Sequence, residues 1–244
     1  MRLHLTTNQK NLSINSQSLR KKRHQLFSFP PPEEADENGL LAYGGDLSAE
    51  RLISAYESGV FPWFEAGQPI LWWNPPMRMV LYPDQFRISK SLKQKLKKEY
   101  FEFRVDTNFE QVIQHCAKVP RKEQTGTWIT DEMMQAYTKL HHLGFAHSFE
   151  TYLNDELVGG LYGISLGRAF FGESMFSIVS DASKAACHFL TQFTKKHDFA
   201  LIDCQLHTTH LESLGAKEIE RGQYLKELDA ALGHQDLCQN WSTL

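Results

Sequence analysis

The 244-residue sequence contains no apolar run approaching the roughly 18 residues that a membrane-spanning helix needs, which excludes a helical membrane protein. It has no Cys-x-x-Cys pair. Its four cysteines, Cys116, Cys187, Cys204 and Cys238, are scattered and read as reduced, mostly buried thiols of a cytoplasmic chain. The N-terminus lacks a continuous apolar stretch, so no secretory signal is expected. The sequence also lacks the bias of a disordered, collagen-like or disulfide-scaffold chain: 41% of residues are apolar and 23% charged, ordinary globular usage. There is no internal repeat.

The first 24 residues contain no acid. They carry six basic residues, Arg2, Lys10, Arg20, Lys21, Lys22 and Arg23, for +6. Residues 84–100 hold six bases against two acids, for +4, which leaves −13 for the rest of a chain whose net charge is −3. An acidic body with two basic patches can hold a phosphate backbone locally, although charge runs are commonly plain solvated faces. Residues 1–24 show no periodicity and read as a flexible extension. Their basic, Ser-containing composition is shared with organelle transit peptides, but no amphipathic helix accompanies it.

Residues 27–46 hold three consecutive prolines and a Gly44-Gly45-Asp46 turn, and read as irregular chain. Ser48 is placed to cap a helix carrying Leu52, Ile53 and Tyr56, which Gly59 stops. Three of the five tryptophans then fall at Trp63, Trp72 and Trp73, and Asn74-Pro75-Pro76 breaks the chain. Three units are therefore expected: 1–24, a small α+β domain over 25–76, and a larger domain over 77–244. In the larger one a strand at 79–82 precedes a helix at 88–98 whose apolar residues recur every four and whose other faces carry lysines. A strand at 101–105 and helices at 108–118 and 130–144 follow. Next come three strands at 147–153, 157–165 and 169–176, a helix at 181–196, a strand at 199–205, and helices at 208–214 and 222–232. Helices, an antiparallel meander, then helix, strand and helix is the order of an acyl-CoA N-acyltransferase (GNAT)-like α/β domain with a mixed, largely antiparallel sheet. The phosphate-cradling loop [Q/R]-x-x-G-x-[G/A] is absent where it should join the third meander strand to its helix, so acyl-CoA is a poor fit as donor.

Gly163-Ile164-Ser165-Leu166-Gly167 fits the G-x-S-x-G pattern of hydrolases, with Asp203 and His210 in triad order. That motif needs a strand–elbow–helix, whereas Arg168 to Phe171 continue as strand, so a glycine-rich β-turn is expected instead. Cys204, His207 and His210 are spaced by three, but Cys204 ends a strand and no fourth ligand is evident, so no metal is expected. Two stretches are poorly explained by structure alone. Glu173 is a lone carboxylate in the apolar run 171–177, and Asp203 and Gln205, two apart on a strand, should share its face.

These stretches, with Phe61-Pro62-Trp63-Phe64, Ile70-Leu71-Trp72-Trp73 and Thr127-Trp128-Ile129-Thr130, closely resemble the leucyl/phenylalanyl-tRNA–protein transferase family. Asn38-Gly39-Leu40-Leu41-Ala42, Gly44-Gly45-Asp46-Leu47-Ser48, His147-Ser148, Leu157-Val158-Gly159-Gly160, Ala182-Ser183-Lys184 and Ser213-Leu214-Gly215-Ala216 fit as well, in order, over about residues 27–224. The basic extension and Ser165 depart from the pattern, and His207 has no family counterpart.

The resemblance implies a cytoplasmic aminoacyltransferase. It would move Leu or Phe, and by extension Met, from the 3′ end of leucyl-tRNA or phenylalanyl-tRNA to the N-terminal α-amine of a protein starting with Arg or Lys, marking it for degradation. The ester donor is already activated, so neither ATP nor another cofactor is implied. An α-amine with a pKa near 7.7–8.0 is partly neutral at pH 7 and can attack directly. By resemblance, Gln205 positions that amine, Asp203 orients Gln205, and Glu173 holds the cationic end of the acceptor. Leu161, Phe170, Met175 and Tyr137 would line the aminoacyl pocket, and Trp63, Trp128 or Tyr56 would stack on the terminal adenine. Arg87, Lys90, Lys93 and Lys97 would contact acceptor-stem phosphates. The final proton acceptor stays open, the ribose hydroxyl of the substrate being one candidate. A monomer without membrane contact is expected. The rival readings are a CoA-dependent N-acetyltransferase and a tRNA- or peptide-binding module without chemistry.

Overall fold

The computed structural model describes residues 27–119 and 128–244, so the basic extension and Thr127 lie outside the described residues. Two sheets carry the architecture. Strands β1 (Leu40–Tyr43), β2 (Phe61–Pro62) and β3 (Leu71–Trp73) form a small antiparallel sheet in the order β1-β3-β2. Helix α1 (Ala49–Glu57) lies between β1 and β2 in the chain. It starts at Ser48, but not through that side chain: the Asp46 carboxylate accepts from the Ser48 N–H at 2.9 Å instead. It stops at Gly59, whose φ of +72° suits glycine and where a Cβ would come within 2.7 Å of Leu225. β1 corrects the reading of residues 27–46 as wholly irregular.

The larger sheet is built from β4 (Met77–Leu81), β5 (Glu102–Val105), β6 (Ala146–Leu153), β7 (Glu156–Leu166), β8 (Ala169–Ser177), β9 (Leu201–Gln205) and β10 (Lys217–Glu220). Their order is β10-β4-β9-β8-β7-β6-β5, and every neighbouring pair is antiparallel except β8 with β9. The helices are α2 (Lys90–Lys97), α3 (Phe109–Lys118), α4 (Asp131–His142), α5 (Ala182–Lys196), α6 (Thr209–Ser213) and α7 (Arg221–Leu232). Ser89 caps α2 by accepting from the Leu92 N–H at 3.2 Å, and Thr130 caps α4 by accepting from Met133 at 3.2 Å. In α2 only Leu92 is buried, and Ile88 falls outside the helix and is exposed.

The meander β5 to β8 hands the chain to α5, which returns it to β9 alongside β8. The return is close because Gly159 of β7 has no side chain: a Cβ there would meet Ala182 of α5 at 2.5 Å. One continuous apolar cluster joins Leu52, Tyr56, Phe61 and Trp72 to Tyr137, Tyr162, Phe171 and Leu228. Burial of such side chains contributes about 1.5–3 kcal/mol each, so the small sheet is fastened to the large one by shared core. β10 is absent from the sequence reading. The G-x-S-x-G stretch is a strand running into a turn, with Ser165 buried inside β7 and Gly167 at φ +54°; it forms no nucleophile elbow.

Candidate active site

β8 and β9 pair only from Ala169↔Leu201 to Phe171↔Asp203, and beyond that point they part. Each stays paired on its outer side, β8 to β7 as far as Ser177 and β9 to β4 as far as Gln205. The parted edges therefore turn an opening inward, and a cleft of about 430 Å³ lies there. β8 contributes Glu173, Ser174 and Met175 to its lining, β9 and the following turn contribute Cys204, Gln205, Leu206 and Thr208, and α6 contributes His210 and Leu211. Leu81, Leu161, Leu190 and Ile202 make it largely apolar, and Trp63 and Trp128 bring indole rings to it.

Asp203 is fully buried and does not line the cleft. Its carboxylate accepts from Arg78 Nε at 2.9 Å and Nη2 at 2.7 Å, from the Tyr224 hydroxyl at 2.8 Å, and from the Gln205 backbone N–H at 2.8 Å. Arg78 is itself buried, its guanidinium 4.7 Å from the Phe61 ring centroid and 4.5 Å from that of Tyr224. A bidentate pair between two aromatic faces satisfies the buried guanidinium and carboxylate together. Gln205 sits at φ +63°, in the left-handed region. Strand alternation therefore does not put Asp203 and Gln205 on one face: the backbone turns between them, sending Asp203 into the core and Gln205 into the cleft.

The Gln205 amide donates to Glu173 Oε1 at 2.7 Å. Tyr56 donates to the same oxygen at 2.8 Å, Tyr137 donates to Oε2 at 2.9 Å, and the two phenol oxygens are 2.5 Å apart. Burial pushes the Glu173 carboxyl up to about 7, against the pull of these donors, and the Asp203 charge pushes the same way as burial. With Glu173 ionised, the Tyr56–Tyr137–Glu173 triangle has two hydroxyl protons for three contacts; protonation of the carboxyl supplies the third.

Leu161, Met175, Trp63, Trp128, Glu173 and Gln205 all line the cleft as anticipated. Three expected contacts do not. Tyr56 is fully buried, with its ring packed against Phe171 and its hydroxyl on Glu173, so it offers no face for an adenine. Tyr137 is likewise fully buried behind Glu173, and Phe170 is fully buried beneath the cleft's apolar wall, among Phe149 and Trp241. Arg87, Lys90, Lys93 and Lys97 are exposed. Arg87 lines a second, smaller cleft with His207, which lies 3.4 Å from Glu212. Arg78, Tyr224 and the α6 wall were missed. Arg78 is 125 residues from its partner Asp203 in sequence, and nothing local marks it.

The chain matches the family model described as leucyl/phenylalanyl-tRNA protein transferase over residues 80–229, and the model of that family's N-terminal domain over residues 45–76. The leucyl/phenylalanyl-tRNA–protein transferase of Nitrosomonas eutropha is 54% identical over 221 residues, covering 88% of this chain and 94% of that one. The chain belongs to the leucyl/phenylalanyl-tRNA–protein transferase family. A second relative with the same name, from Legionella pneumophila (strain Corby), is 53% identical over 216 residues, covering 88% of this chain and 96% of its own. Among solved structures, L-PGS from Bacillus licheniformis is similar over 66% of each chain at 12% identity, with a TM-score of 0.39, too distant to argue from. Within the family's 45–76 unit the site draws Phe61, Pro62 and Trp63, and within the 80–229 unit it draws Glu173, Asp203, Gln205 and α6.

Proposed function

We propose that this member of the family transfers Leu or Phe from the 3′ end of aminoacyl-tRNA to the N-terminal α-amine of proteins beginning with Arg or Lys, forming a peptide bond. The observation that carries the reading is the Glu173–Gln205 couple set into an apolar cleft where β8 and β9 part. Leu161, Met175 and Ile202 offer the aminoacyl side chain an apolar bed, and the unbranched Met175 suits both branched Leu and flat Phe. Such a pocket discriminates against smaller side chains by only about 1–3 kcal/mol per methylene. Trp63 and Trp128 are the flat partners for the terminal adenine, where stacking is worth about 1–3 kcal/mol.

Gln205 is an uncharged amide and serves as a positioner of the attacking amine. Asp203 acts through it, by holding its backbone N–H. Glu173 uses three of its roughly four acceptor positions on Tyr56, Tyr137 and Gln205, leaving room for one further donor from the acceptor's Arg or Lys. The exposed Arg87, Lys90, Lys93 and Lys97 are the surface for acceptor-stem phosphates. The parallel β8–α5–β9 unit and the parted strands support a GNAT-like reading of the larger domain, with 76/77 as its boundary. A CoA donor is disfavoured because the first amides of α5 are taken: Ala182 N–H bonds Val179 O at 3.0 Å and Ser183 N–H bonds Ser177 Oγ at 3.2 Å.

Glu173→Ala tests the assignment. It should raise KM for Lys- or Arg-starting acceptors at least tenfold while leaving KM for aminoacyl-tRNA within about threefold, measured by steady-state transfer. Equal effects on both substrates would refute the role given to Glu173.

A further inference from the structure

The proposed transfer releases one proton from the attacking amine, and none of the groups assigned so far can take it. Gln205 is not basic. Asp203 is closed off by Arg78 and Tyr224, and Glu173 is assigned to the cationic end of the acceptor, which a proton on that carboxylate would release. The remaining titratable side chains lining the cleft are Tyr162, Cys187, Cys204 and His210. A phenol keeps its proton at neutral pH, and burial pushes Cys187 up to about 12 and Cys204 well above the ordinary thiol range. His210 stands apart from all of these. It is exposed, it lies on α6 five residues beyond Gln205 on the same cleft wall, and among the described residues its ring makes no hydrogen bond.

Resting on the transferase reading, we propose that His210 is the general base of the reaction and accepts the proton of the attacking α-amine. The neutral amine attacks the ester carbonyl carbon, and a C–N bond forms as the carbonyl electrons move to oxygen. One N–H proton passes to the free imidazole nitrogen. The tetrahedral centre then collapses, the C–O bond to the ribose breaks, and the imidazolium returns the proton to the departing ribose oxygen. His210 ends neutral, so no other reagent is consumed.

The surroundings suit the role. Desolvation by the cleft wall, reinforced by the Lys184 ammonium on α5, holds the exposed His210 imidazole below its ordinary range, which favours the neutral, proton-accepting form. The other ionisable groups lining its cleft are Tyr162 on β7, Glu173 on β8, Cys187 on α5 and Cys204 on β9, while Glu212 and His207 of its own segment line the second cleft. Glu212 is 3.4 Å from His207.

The test is steady-state and single-turnover transfer with His210→Ala and His210→Gln. Because His210 is exposed, both variants should keep the wild-type melting temperature, which is measured alongside. General-base catalysis contributes about 10²–10⁴-fold, so kcat should fall by about that factor in both, with KM for aminoacyl-tRNA within threefold. Added imidazole should restore the Ala variant at least tenfold. A kcat within threefold of wild type, or a loss that imidazole does not restore, would overturn the proposal. Failure of the wild-type chain to transfer at all would instead overturn the functional reading on which it rests.

Discussion

At the scale of single residues, Gln205 is the point where packing becomes chemistry. A non-glycine residue in the left-handed region is strained by roughly 1–2 kcal/mol. Here the Asp203 carboxylate offsets that by accepting the Gln205 N–H, and Asp203 is held in turn by Arg78. The side chain is thereby aimed at Glu173, whose carboxyl sits near 7 through burial. Holding a cation requires the ionised form. Acceptor binding must therefore expel a proton below about pH 7, and KM for Lys-starting acceptors should rise about tenfold per unit as pH falls from 7 to 5. The α-amine's own titration adds to this in every variant, so Glu173→Gln should leave a shallower dependence than wild type, and equal slopes for the two would contradict the charge state assigned to Glu173. Little of this is legible in sequence. Glu173, Asp203 and Gln205 stand out as polar residues in apolar strands, but the turn between Asp203 and Gln205 depends on Arg78 and Tyr224, which meet Asp203 only in the folded chain.

At the scale of elements, periodic segments are the legible ones. The capped helices α2 and α4, helix α5 and the strands β6, β7 and β8 lie within a residue or two of where apolar spacing puts them. β10 escapes because Lys-Glu-Ile-Glu has one apolar residue and takes its strand form from pairing with β4. Helix α2 shows the reverse case: its pattern is plain, but whether its lysines act is a matter of surroundings. Lys95 is occupied by Asp181 and by the Ser180 carbonyl, whereas Lys93 and Lys97 are exposed. Reversing the charge of both should weaken tRNA binding and flatten the plot of log K against log salt by about 1–2 units. A salt slope equal to wild type would make them a solvated face only.

At the scale of the whole molecule, Arg78 is the stitch. It joins Phe61 of the small sheet, which lines the cleft, to Asp203 of the large sheet and Tyr224 of α7. Removing one partner of a buried ion pair costs about 3–5 kcal/mol. Arg78→Ala should lose about that much in urea denaturation, and a loss under 1 kcal/mol would contradict the stitch. The family's two units, matched over 45–76 and 80–229, thus share both a core and a site, which accounts for motifs from both ends of the chain converging on one cleft.

The most direct measurement is transfer of radiolabelled Leu from leucyl-tRNA to a protein with an N-terminal Lys, beside the same protein with an N-terminal Ala, without ATP or CoA. Label entering only the Lys-starting protein is the predicted result. Equal labelling of both would contradict the acceptor assignment. No transfer while the tRNA still binds would contradict the central claim and return the chain to the class of binding modules.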